Sequence, residues 1–131
     1  MAALSEIVFD CQYPPALARF WAALLDGYDV RPYDDAEIAR LAALGLTPET
    51  DSTVMVDGPG PKLCFQAAAA ASAAENRLHL DVTVTDREAE ERRLVALGAS
   101  VQRRLAQWSV MSDPEGNEFC IVDDKGSDGR T

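Results

Sequence analysis

His79 is the only histidine in the chain. Its imidazole suits proton transfer near neutral pH or ligation of a metal ion. A neutral histidine hydrogen-bonded to Asp10, Asp81 or a backbone group fits the same residue. Three cysteines, Cys11, Cys64 and Cys120, are the other reactive candidates. They are odd in number, far apart and lack a Cys-x-x-Cys pair, which argues against a disulfide framework or structural zinc and for a reducing cytoplasm. Each sits in an apolar run, as buried free thiols do. Cys120 would act as a nucleophile only beside a cation that lowers its pKa, and His79 is the candidate. Asp10 and Asp81 could be a pair of central acids, but carboxylates that bind backbone N–H groups suit those positions better. Trp108 offers a large apolar surface with one donor, as ligand cavities use. Core packing accounts for it as well.

The elements that must position these residues follow from periodicity. From Glu6 to Cys11, Ile7, Phe9 and Cys11 alternate with Glu6, Val8 and Asp10, which predicts a half-buried strand. Pro14 and Pro15 open a helix in which Leu17, Phe20, Trp21 and Leu24 form one apolar stripe, ended by Gly27. Asp34 and Asp35 are caps for a second helix carrying Ile38, Leu41 and Leu44, stopped by Gly45. Strands are expected at Thr53–Val56 and Lys62–Gln66, joined by Asp57-Gly58-Pro59-Gly60-Pro61. The alanine-rich stretch Ala67–Ala74 has no amphipathic pattern and reads as a linker.

Strict alternation from Leu78 to Thr85 sets Leu78, Leu80, Val82 and Val84 against His79, Asp81, Thr83 and Thr85. Asp86 caps a helix with Ala89, Leu94 and Leu97 inward and a solvated face of Glu88, Glu90, Glu91, Arg92 and Arg93, ended by Gly98. Strands follow at Ser100–Arg103, Trp108–Ser112 and Glu118–Val122, the last two joined by Asp113-Pro114-Glu115-Gly116 in the residue pattern of a type I turn. One offset of 71 residues relates Asp10 to Asp81 and Gly27 to Gly98. The chain therefore reads as a duplicated β-α-β-β-β unit in an α+β domain. Module one covers about 4–66, a linker 67–76, module two about 77–123, and a flexible polar tail 124–131.

At 131 residues, one domain or two half-modules sharing a core is expected. Acids outnumber bases 22 to 12, for a net charge of −10, which makes nucleic acid and anionic membrane poor partners. No apolar run approaches the roughly 18 residues of a membrane span. The start, MAALSEIVFDC, lacks a basic region, so no signal peptide is expected.

The segments FDCQYPPALARFWAALLDGY, RLHLDVTVTDREAEERRLVALGASV and SDPEGNEFCIV, in that order and spacing, resemble the glyoxalase-like branch of the vicinal-oxygen-chelate superfamily. The likeness covers nearly the whole chain apart from the Asp34–Leu44 helix and the alanine run. It implies two β-α-β-β-β modules in a cup-shaped incomplete β-barrel with helices outside. It also implies a divalent metal ion in the metalloenzymes, chelating two vicinal substrate oxygens and stabilising their developing charge. Carried over, the ligand on the first strand of module two is His79. That on the first strand of module one is Glu6 or Val8, according to register, and Cys64 or Gln66 points inward on the fourth strand. The last-strand position falls on Cys120 rather than the family's glutamate, with Glu118 two residues earlier on the same face.

The resemblance implies a small organic molecule bound in the cup, probed by Asp10, Gln66, Asp81, Trp108 and Cys120. Two activities are implied. One is a lyase, isomerase or oxygenase with catalytic His79 and Glu118 and a metal held by His79, Glu6 and Glu118. The other is a metal-free binding or sequestering protein of the bleomycin-resistance kind. A cytoplasmic homodimer is the expected form, and a thiol ligand at Cys120 would favour a softer ion than Mg²⁺.

Overall fold

The computed structural model describes residues 4–68 and 80–124. The chain forms two compact units, Met1–Ala71 and Ser72–Thr131. In the first, the order is β1 (Glu6–Cys11), α1 (Pro14–Leu24), β2 (Asp29–Val30), α2 (Asp35–Ala43), β3 (Thr53–Asp57) and β4 (Lys62–Ala67). In the second it is β5 (Leu80–Val84), α3 (Arg87–Ala96), β6 (Ser100–Arg104), β7 (Trp108–Ser112) and β8 (Glu118–Asp123). Each unit holds one four-stranded sheet, ordered β1-β4-β3-β2 and β5-β8-β7-β6, and neither closes on itself. The duplicated α+β architecture is thus present, strand order included. Module one contains the short β2 that periodicity does not reveal, and α2 is inserted after it. Leu78, His79 and the alanine run from Ala69 onward lie outside the described residues, as does the tail beyond Asp124.

In both sheets the first strand runs parallel to the last, and the remaining neighbours are antiparallel. Alternation then divides the side chains between two faces. In the first unit, Cys11, Leu63, Phe65, Val54 and Val56 are buried on the helix side with Leu17, Phe20, Trp21 and Leu24 of α1. Phe9 stacks on Phe65 with ring centroids 4.7 Å apart and meets Trp21 at 5.6 Å. α1 begins at the Pro14-Pro15 pair, where missing N–H groups cost nothing.

Asp34 caps α2 by accepting the Glu37 N–H at 2.8 Å, and Asp86 caps α3 by accepting the Ala89 N–H at 3.1 Å. Of the apolar residues α2 carries, only Leu41 is buried, while Ile38 is 43% exposed and Leu44, its C-terminal cap, 64%. At nine residues the helix buries a single turn's worth of apolar surface.

The repeat extends to a contact between helix end and turn. Gly27 and Gly98 have φ of +80° and +118°, values that favour glycine. Each lies against a proline of the turn before the last strand: Pro59 for Gly27 and Pro114 for Gly98. In the second unit that turn is closed by Asp113, whose Oδ1 accepts the N–H groups of Glu115 and Asn117, both at 2.9 Å.

α3 differs from its expected pattern. Leu94 is buried, but Leu97, the C-terminal cap, is 39% exposed. Glu91, assigned to the solvated face, is buried instead. It precedes Leu94 by three residues and so shares its face. Its carboxylate is satisfied there: Arg104 Nε donates at 2.8 Å and the Ser109 hydroxyl donates to the other oxygen. Arg87 fixes the same corner, donating to the Leu105 and Ala106 carbonyls at 2.9 and 2.8 Å and pairing with Asp123 at 3.2 Å. Burial opposes ionisation of Glu91, yet hydrogen bonds from Ser109 and Arg104, with Arg87 nearby, hold its carboxyl below the usual range. A depressed carboxyl contributes stability above its unfolded pKa and loses that contribution as pH falls through the folded value. Glu91→Ala should therefore cost about 1–3 kcal/mol at pH 7, because the buried Ser109 hydroxyl loses its acceptor while Arg87 still donates to its oxygen at 3.2 Å. In denaturant melts the gap between wild type and variant should narrow as pH falls below the ordinary carboxylate range, through the lowered folded pKa of Glu91.

Candidate functional site

The helix-free face of each sheet carries the residues with chemical potential. On the first sheet, the register Glu6↔Lys62, Val8↔Cys64 and Asp10↔Gln66 brings these six side chains to one face. Thr53 and Met55 of β3 join them opposite Gln66 and Cys64. Gln66 Nε2 donates to Asp10 Oδ1 at 2.9 Å, so the acid is held by a neighbouring amide. Glu6 and Val8 share the face, as their common parity requires, and Val8 is 45% exposed.

On the second sheet, Asp81 pairs with Cys120, which pairs with Val110, and Thr83 pairs with Val122, which pairs with Trp108. Glu118 lies on the same face opposite Ser112. Asp81, Glu118, Cys120 and Trp108 therefore share one surface, and Trp108 is 41% exposed on it. Glu6, Asp10 and Gln66 belong to the first sheet. His79 lies outside the described residues.

The thiols mark the electrostatics of the two faces. Burial pushes Cys64 up, and Glu6 and Asp10 push it further. Burial likewise raises Cys120, aided by Asp81 and Glu118 and opposed by Arg103. Both are free thiols, as is the buried Cys11, and both are held in the protonated form that attacks nothing at neutral pH.

The donor set does not fit a hard divalent ion among the described residues. At the last-strand position that the resemblance implies stands Cys120, a soft sulfur donor, and Gln66 is turned to Asp10 through its Nε2. No group of three or more His, Cys, Asp or Glu side chains there is arranged to hold a metal.

Two residues escaped the sequence reading. β6 contains an irregularity between Val101 and Arg103: Val101 pairs with Met111, but Arg103 pairs with Val110. The extra residue turns Arg103 to the helix-free face, where a regular strand would have kept it on the face of Val101. Gln102 reaches that face too, donating to Ser112 Oγ at 3.0 Å. No glycine or proline marks the bulge, so alternation alone could not place it.

Two four-stranded sheets built from a repeated unit, with polar residues gathered on their helix-free faces, define a protein of the vicinal-oxygen-chelate superfamily. Residues 6–122 match the model of the glyoxalase-like domain, and the chain belongs to that family. No curated protein sequence matches it significantly. Its fold is similar to that of a glyoxalase/bleomycin resistance protein/dioxygenase family enzyme from Burkholderia phytofirmans. That match has 16% identity and a TM-score of 0.68, covering 93% of this chain and 98% of the other. A fosfomycin resistance protein from Mesorhizobium loti is similar at 12% identity and TM-score 0.65, with 98% and 96% coverage. A glyoxalase family protein from Bacillus cereus aligns at 13% identity and TM-score 0.67, over 96% of each chain. At such identities the likeness is one of fold.

The raised thiols generate a direct test. Alkylation by iodoacetamide should show Cys64 and Cys120 reacting with pH midpoints above the ordinary cysteine value of about 8.5. Mass spectrometry of the alkylated peptides reads each site separately. Reaction of Cys120 with a midpoint below 8 would restore it as a nucleophile.

Proposed function

We infer that the protein binds a small organic molecule against the helix-free faces of its sheets, and that binding or sequestration is its activity. The observation that carries this reading is the second-sheet face. There half-buried Cys120 and Val122, with Val110 buried between its neighbours, form an apolar floor beside the exposed Trp108, bordered by Asp81, Thr83 and Glu118. Apolar surface with a few placed polar groups is the composition of small-molecule sites. On the first sheet, Val8, Met55 and Cys64 are bordered by Asp10 and Gln66 in the same manner. The fosfomycin resistance protein among the fold's relatives is in keeping with a role in handling small molecules.

Asp10, Gln66, Asp81, Trp108 and Cys120 are the proposed ligand-binding residues. Gln66 orients the Asp10 carboxylate, which can accept a hydrogen bond from a ligand through its remaining lone pairs. Protonated Cys120 supplies packing surface. The enzymatic reading assigns His79 as base or ligand, with Glu118 and Glu6 as partners. It rests on the sequence resemblance, and no metal-dependent step is derived from the described donors. Three free cysteines suit the proposed reducing cytoplasm, and a homodimer is the proposed assembly. No helix among the described residues is long and apolar enough to cross a membrane.

Native mass spectrometry and thermal melts of untagged protein test this reading. Adding Mn²⁺, Ni²⁺, Fe²⁺ or Zn²⁺ after chelation should leave the melting temperature unchanged. A bound organic molecule at a hundred times its Kd should add about 2.7 kcal/mol. Stoichiometric metal that disappears in His79→Ala would overturn the metal-free reading and establish the metalloenzyme.

A further inference from the structure

The bulge in β6 places an arginine where the sheet can use it. Asp81, Cys120, Val110 and Arg103 lie in one row across β5, β8, β7 and β6. With strands about 4.8 Å apart, the ends of that row are separated by three spacings, roughly 14 Å. A carboxylate thus stands at one end, a guanidinium at the other, and an apolar pair between them. Arg103 makes no ion pair with any described residue, whereas its neighbour Arg104 is committed to Glu91 at 2.8 Å. Arg31, Arg40, Arg87 and Arg93 are likewise paired with carboxylates. Arg92 too has no carboxylate among the described residues, but it lies on the exposed side of α3, whereas Arg103 stands on a partly apolar sheet face where a guanidinium can meet an anion.

We propose that Arg103 anchors the anionic end of a small organic acid whose apolar body lies over Val110 and Cys120, beside Trp108. The inference rests on the reading of this face as a small-molecule site and names the class of ligand it takes. The bulge is its structural device: in a regular strand Arg103 would share the face of Val101, and Arg104, which here pairs with Glu91, would be turned to this surface instead. A guanidinium offers a planar pair of donors that matches a carboxylate, which a lysine cannot reproduce. Gln102, tied to Ser112, stands next to it in the chain as a neutral polar neighbour. Asp81 and Glu118, toward the opposite edge, repel an anion bound the wrong way round and so fix its direction. The field of both ends reaches the middle of the row, where Cys120 is raised by the two acids and lowered by Arg103.

Three probes that share one skeleton separate charge from apolar contact: 3-phenylpropionate, 3-phenylpropan-1-ol and 3-phenylpropylamine. Titrations of ¹⁵N-labelled protein followed by NMR should show the carboxylate binding about tenfold more tightly than the amine, with the alcohol between them. The largest shifts should fall at Gln102, Arg103 and the Trp108 indole. Arg103→Gln should bring the carboxylate down to the alcohol's affinity at an unchanged melting temperature, and Arg103→Lys should recover part of the loss. Glu118→Gln should tighten carboxylate binding several-fold. Amine binding as tight as carboxylate, or no effect of Arg103→Gln, would overturn the anion anchor, while binding of the alcohol at these residues would leave the small-molecule reading intact. No response of this face to any of the three would contradict both.

Discussion

In each unit the first strand pairs parallel with the last, and that pairing decides which side chains share a face. A shift of one residue would send Asp10, Gln66, Asp81 and Cys120 against the helices and bring Phe9, Phe65 and Ile121 to the other side. The register is held by burial. Phe65, Phe119 and Ile121 have no exposed surface, so the phase is set by the residues least able to tolerate water. The polar residues on the opposite face inherit their positions from that core.

The two units solve the same problem with different polar chemistry. Both end their long helix at a left-handed glycine packed against a turn proline, which aligns the helix with the last hairpin. In the second, Glu91, Arg104, Ser109, Arg87 and Asp123 tie helix to sheet with charge. In the first, aromatic stacking of Phe9, Trp21 and Phe65 does so. The buried carboxylate is satisfied at every contact that matters, which is the condition under which such a group is tolerated.

Long alternations and capped helices were legible because period and cap act locally. Asp34, Asp86, Gly27 and Gly98 each announced an element boundary, and the 71-residue offset exposed the duplication. The two-residue β2 was not legible, since so short a strand carries no period. Nor was the inward turn of Glu91, because its partners come from β6 and β7, which are distant in sequence. The shared faces of Asp10 with Gln66 and of Asp81 with Cys120 follow from parity alone. The position of Arg103 does not, because a bulge of ordinary residues reverses parity without any sign in the sequence. The proposed site draws its side chains from four strands at once, so no single motif declares it.

The family accommodates many activities on one scaffold, and in this chain the departures from the metalloenzyme pattern carry the information. The resemblance puts the last-strand ligand position on Cys120, a sulfur donor poorly matched to a hard ion, and the Gln66 amide nitrogen holds Asp10. The most direct measurement is a crystal structure of untagged protein grown with an organic acid it retains. The account predicts electron density for that molecule over Val110 and Cys120, with its carboxylate at the guanidinium of Arg103. Density confined to other surfaces, or this face filled by the protein's own side chains, would contradict it.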